Sequence, residues 1–295
     1  MKSRGAAACQ KERPLFIGNR HRRQNMFRTL VYLSLLCLAG SASGQNPGVR
    51  SEREKLGAEH FNQAIVAFRA GDYQKSVPLF LSADTLIGDS KLVDRVKLRF
   101  ALGTAFLETG HAEAAYGYFQ WVAIQDSTYP YLQLQMAESA RKAGQRDEAL
   151  KFYHKALLQA KPSEQAAIQA RIGELELAAG RLDQALEILG QAISLSPASD
   201  YHLLRGQIYD KLAQRIDHAE DESFDYDDAI RKGELTEEVM RGATDLREKA
   251  LADYEAAARD TKLSAAAGKL VERSNVILEN NRQVISEIRY QRENP

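Results

Sequence analysis

Cysteine is almost missing from this chain: 295 residues hold two, Cys9 and Cys37. Both fall in the first 44 residues, so a chain cut after that point would have no thiol. Disulfides and cysteine chemistry are then excluded, and packing alone must hold the fold. Long apolar runs are missing too. Mean hydropathy is −0.43, and the longest run, Leu30 to Ala39, falls short of the roughly 20 residues that span a bilayer. Nor is there an excess of positive charge. Lys+Arg and Asp+Glu number 40 each, and residues 1–44 carry eight of the bases and one acid. The remainder is therefore acidic by seven charges, which argues against nucleic acid as a partner.

Catalytic signatures are equally scarce. The six histidines (His21, His60, His111, His154, His202, His218) form no HExxH, and no two lie three to five apart. AAAGKL at 265–270 lacks the first glycine and the Ser/Thr of a phosphate-binding loop, where Leu263 and Leu270 stand instead. There is no GxSxG and no Gly-rich dinucleotide turn. His202 and Asp210, eight apart on one helical stretch, read as surface residues rather than an acid/base pair. No cofactor and no metal are expected.

The charge asymmetry has a source. MFRTLVYLSLLCLAGSASGQ, from Met26, has a basic start at Arg28, an apolar centre and small residues at Ala42 and Gly44. That is the pattern of an export signal, which places the mature start near Gln45 and translation from Met26, with residues 1–25 as an over-extended start or a long basic lead-in. Cys37 follows Leu36 rather than a small residue, so a lipid anchor is disfavoured. Residues 1–44 are read as leader and 45–56 as a short linker.

Glycine punctuates the rest of the chain. Gly71, Gly110, Gly144 and Gly180 are 39, 34 and 36 residues apart, and the same pattern surrounds each. Seven residues before stands Ala64, Gly103, Ala137 or Gly173. Five after stands Ser76, Ala115, Ala149 or Ala185, and nine after stands Phe80, Phe119, Tyr153 or Leu189. Twelve after come Ala83, Ala156 and Ala192, with Val122 as the exception. Two antiparallel helices per repeat are implied, small residues of the A and B helices facing each other at close approach, the large residue filling space toward the next unit, and the glycine turning the chain. Pro130, Pro162 and Pro197 stop the B helices. Pro78 inside a B helix is a mild departure.

This pattern resembles the tetratricopeptide repeat family. The resemblance implies an all-α solenoid, a right-handed superhelix of about five repeats over residues 57–260. The fifth begins with Gly206 and Tyr209, has Ala213 in place of the turn glycine, and resumes at Ala250 and Tyr254. Between lies an insertion, 214–245, with seven acidic side chains in residues 217–228. Such runs read as solvated loops; an EF-hand from Asp225 fails at Ile230 and Thr236. Residues 261–295 carry the pairs Leu270–Val271, Ile277–Leu278 and Val284–Ile285, then Ile288, an amphipathic helix interrupted at Ser274 and Asn281. It is read as a solvating cap, with a helix-zipping homo-oligomer as the alternative.

Carrying the family's inward-facing A-helix positions onto this chain gives Phe61, Ile65, Phe68 and Arg69, then Phe100, Thr104, Leu107 and Glu108. The third repeat adds Tyr131, Leu134, Glu138, Arg141 and Lys142, and the fourth Arg171, Glu174 and Leu177. The resemblance implies that a peptide or protein docks here, with aromatic anchors near Phe61 and Phe100; the alternative is that Phe61 and Phe68 belong to the core. The clamp that grips chaperone carboxylates is matched only at Arg171. The expected role is a non-catalytic, protein-binding scaffold or adaptor of the bacterial cell envelope, most simply periplasmic. A self-associating subunit and an enzyme of unrecognised type are the alternatives, and the partner's identity is not written in the residues.

Overall fold

Four turns of this protein are built alike. Gly71, Gly110, Gly144 and Gly180 take φ values of 77°, 83°, 77° and 75°, left-handed backbone that costs glycine nothing. The residue after each glycine donates its N–H to a carbonyl five residues back: Asp72 to Ala67, His111 to Phe106, Gln145 to Ala140 and Arg181 to Glu176, at 2.8–3.0 Å. This closes one helix and satisfies its last carbonyls, while the chain reverses into the next.

The computed structural model describes residues 47–294. The chain separates into two units, Met1–Glu54 and Lys55–Pro295. Of the first, only the start of helix α1 is described. The leader, both cysteines and the expected cleavage site lie outside the described residues. Twelve helices are described, in order: α1 Pro47–Arg69, α2 Tyr73–Ile87, α3 Arg95–Glu108, α4 Ala112–Gln125, α5 Leu132–Lys142, α6 Arg146–Gln159, α7 Pro162–Ala178, α8 Leu182–Leu195, α9 Ser199–Asp217, α10 Tyr226–Lys232, α11 Glu237–Ala258 and α12 Ser264–Glu293. The fold is an α-solenoid: pairs α1/α2 to α7/α8 are four A/B repeats, and α9/α11 is the fifth. The segment expected as a linker is helical from Pro47 onward. Pro162 opens α7 at its first position, where a missing N–H costs nothing.

Packing within a pair differs from the expectation in one respect. The large residue nine after the turn folds back onto the small A-helix residue of its own repeat. A β-carbon on Gly103 would meet Phe119 at 2.8 Å, and on Gly173 it would meet Leu189 at 2.7 Å. On Gly206 it would likewise meet Tyr254 at 2.7 Å. In the first repeat Phe80 also packs on the A helix, its ring 6.1 Å from those of both Phe61 and Phe68. Ala64, Ala115, Ala137, Ala149, Ala185 and Ala250 are fully buried, as are Phe80, Phe119, Tyr153 and Leu189. Small faces large, and the helices close on each other through that fit.

The fifth repeat departs furthest. Ala213 is buried inside α9. With no glycine there to turn the chain, the helix continues to Asp217 and ends on His218 in the left-handed region, φ 50°. The insertion expected over 214–245 is thus shorter as a loop: α9 absorbs its first residues and α11, from Glu237, its last. Its middle holds α10, whose Ala229 packs with Leu235, Met240 and Ile288. Two expectations fail here. Asp217, first of the acidic run, is fully buried rather than solvated, and Asp210 is 7% exposed rather than a surface residue. Both carboxylates bond the buried Arg247. Helix α12 lies along α11 and buries Ile277, Leu278, Asn281 and Ile288, while Leu270, Val271, Val284 and Ile285 of its stripe are half-buried.

Candidate functional site

The A helices carry the candidate face. Its first aromatic residues serve the core as much as the surface. Phe61 and Phe68 are half-buried against Phe80, and Phe100 lies 5.5 Å from Phe119 and 4.7 Å from Tyr129 between ring centroids. Leu107 does not belong to any open face. It is 2% exposed, within the main core. Leu134 is half-buried against that core.

Tyr131 is different. It is 49% exposed and is a non-glycine residue in the left-handed region, φ 62°, a conformation a bulky side chain holds only when its surroundings fix it. It precedes α5 as the N-cap residue, directly after Pro130, and its hydroxyl donates to Glu164 Oε1 on α7 at 3.2 Å. Tyr129, which the repeat pattern does not mark, packs on Phe100. The Tyr129-Pro130-Tyr131 run was its only signal.

Beyond Tyr131 lies a band of paired charges. Glu138 on α5 accepts from Tyr153 Oη at 2.5 Å and from Arg141 Nε and Nη2 at 3.1 and 2.8 Å. Arg171 on α7 stands 3.7 Å from Glu138 and donates to Glu174 at 2.9 Å. Burial alone would raise the Glu138 pKa, yet the hydrogen bonds from Tyr153 and Arg141 and the charges of Arg141 and Arg171 hold it below the usual carboxylate range. The Tyr153 phenol is pushed up by burial and by its bond to Glu138. Four positions chosen from the repeat pattern, Glu138, Arg141, Arg171 and Glu174, thus meet across two repeats. Tyr153, read from sequence as a packing residue, also organises them. Two acids and two bases neutralise one another, so this band offers orientation and hydrogen bonding rather than a net field.

His202 does not pair with Asp210. Its Nδ1 lies 2.7 Å from Asp253 on α11, whose carboxylate also takes both an Nε and an Nη2 bond from Arg205. That carboxylate is fully occupied in joining α9 to α11. Among the described residues no cluster of His, Cys, Asp and Glu could hold a metal ion, and no helix is long and apolar enough to cross a membrane. At the far end, α10, α11 and α12 enclose a groove of about 1270 Å³.

Comparison with known proteins points the same way. Residues 140–208, from the end of α5 into α9, match a family model for the tetratricopeptide repeat. No curated protein matches the chain. Among solved structures, a crystal structure of MamA is similar at 16% identity and TM-score 0.47, covering 67% of this chain and 97% of that one. A MamA RS-1 double mutant is similar at 16% and 0.48, covering 69% and 98%. The hetero-tetramer of Cut9 and Hcn1 from the APC/C is similar at 16% and 0.48, covering 74% of this chain and 36% of that one. Helix order and the family match, rather than these distant likenesses, carry the fold. Residues 140–208 match the tetratricopeptide repeat, and the same pairing of helices continues on either side of them.

Proposed function

We propose that this protein is a non-catalytic scaffold that captures a protein or peptide on the face shared by its A helices. The supporting observation is Tyr131: a large aromatic side chain held half-exposed in left-handed backbone, close in the chain to Tyr129 and at the start of the helix that carries Glu138 and Arg141. Aromatic side chains fixed in place before binding carry much of the energy of such contacts, since little entropy is lost on docking. The paired charges further along α5 and α7 present donors and acceptors in set positions while adding no net field.

The site of action belongs to the same proposal. The basic start, short apolar run and small residues of 26–44 support export, and the proposed site of action is the cell envelope, most simply the periplasm of a Gram-negative bacterium. The test uses residues that the core does not need. Phe61 and Phe100 pack on Phe80 and Phe119, so their loss would confound folding with binding. Tyr131→Ala and Arg171→Ala, each checked for unchanged helicity, should lower recovery of a specific protein from envelope extracts by about tenfold or more. Recovery unchanged by both variants would remove this face from the function.

A further inference from the structure

The capping helix α12 carries a register problem in its own sequence. Its apolar pairs Leu270–Val271, Ile277–Leu278 and Val284–Ile285 repeat every seven residues and are nearly interchangeable in size. A slide of one heptad along α11 would move each pair onto the next pair's seat. A second column, also spaced by seven, is not degenerate. Ala267, Ser274, Asn281 and Ile288 are all buried, at 0%, 1%, 2% and 9% exposure, and they grow in size along the helix.

The seats of the last two are chemically opposite. Ile288 sits among Ala229, Leu235 and Met240. Asn281 donates from Nδ2 to Asp217 Oδ2 at 3.1 Å. That carboxylate is fully buried and also accepts from Arg247 Nε and Nη2 at 2.9 and 3.0 Å. Arg247, itself without exposure, reaches Asp210 through Nη1 at 2.9 Å. Asp210 accepts from Tyr254 Oη at 2.7 Å, and the Asp217 carbonyl from Tyr226 Oη at 2.6 Å. Sliding α12 one way would put Asn281 into the apolar seat of Ile288. Sliding it the other way would put Ile288 against the Asp217 carboxylate. Either leaves a buried polar group unpaired.

We infer that the Asn281–Asp217–Arg247 network is a register lock: it fixes where the cap docks, in a seam whose apolar pairs would accept more than one position. A single buried asparagine sets register in paired helices in the same way, at some expense of stability. The acidic insertion thereby has a use, since its first carboxylate is the mark that α12 reads. Arg273 with Glu220, and Arg289 with Glu237, hold the same register from outside. The lock also shapes the groove at this end, where Ile288, Gln291 and Arg292 of α12 line the wall.

The test is a spin-label distance measurement on the full chain carrying Cys9→Ser and Cys37→Ser, labelled at Glu248→Cys on α11 and Gln283→Cys on α12. The parent should give one narrow distance. Moving the mark by one heptad, Ser274→Asn with Asn281→Ile, should shift α12 by one heptad, a displacement of about 10 Å along its axis, so that the new asparagine meets Asp217 and the new isoleucine takes the apolar seat. Asn281→Leu should give two or more distances instead of one. A single parental distance in both variants would overturn the lock. So would loss of a docked α12 in both, because the network would then supply stability rather than position.

Discussion

The ring of Phe119 rests on the bare Cα of Gly103, close enough that a β-carbon there would stand 2.8 Å from Cε1. Phe119 is fully buried and has no room to withdraw. Gly103→Ala should therefore cost about 1–3 kcal/mol, the usual range for an overfilled core, despite alanine's better helix propensity. Gly117 on α4 is the control. Nothing lies within 4 Å of its β-position, so Gly117→Ala should stabilise by about 0.5–1 kcal/mol. Urea titration with helicity as the readout measures both, and the opposite signs are the prediction.

Arg247 is the only fully buried guanidinium among the described residues, and two carboxylates depend on it. Arg247→Ala should cost about 3–5 kcal/mol, because it strands Asp210 and Asp217 without a counter-charge. Adding Asp210→Asn and Asp217→Asn to the same chain should recover part of that loss by removing the charges themselves. Thermal unfolding of the single and triple variants tests this. A single variant within about 1 kcal/mol of wild type would contradict the network's role.

Glu138 makes stability depend on acid. Its folded pKa lies below the ordinary carboxylate value, so its contribution is present above about pH 4.3 and is lost as pH falls through the folded pKa. Glu138→Gln cannot titrate. Its stability should fall less steeply than wild type between about pH 4.5 and 2, read from midpoints of denaturant unfolding at each pH. Tyr153→Phe removes one of the bonds holding that pKa down and should shift the acid limb upward.

Calcium should leave the protein unchanged. Several acids of the insertion already have partners: Asp217 holds Arg247, Asp225 caps α10 through the Asp228 N–H at 2.9 Å, and Asp228 pairs with Lys232 at 2.6 Å. Calorimetric titration with millimolar calcium should give no binding heat, and the melting temperature should not move.

The repeat was legible because its constraints are local and periodic. Gly110 needs left-handed backbone and position 103 needs a small residue, and both needs recur at nearly one spacing. The fifth repeat was less so. Ala213 showed that a turn was missing, but only tertiary structure reveals that α9 then runs on and carries Asp217 inward to Arg247. A carboxylate in an acid run looks solvated when its partner lies 30 residues away. The candidate face was read in part. Tyr131, Glu138 and Arg171 come from repeat positions, whereas Leu107, chosen from the same pattern, lies in the core. Tyr129 and the joining role of Tyr153 depend on ring and hydroxyl contacts that no spacing encodes.

The most direct measurement is photo-crosslinking in living cells, with a benzophenone amino acid placed at Tyr131 and, in a separate strain, at Leu158. Leu158 is 88% exposed on the B helix α6. Binding on the A-helix face predicts a discrete protein adduct from position 131 and none from position 158. Adducts from position 158 alone, or none from position 131 in any growth condition, would contradict it.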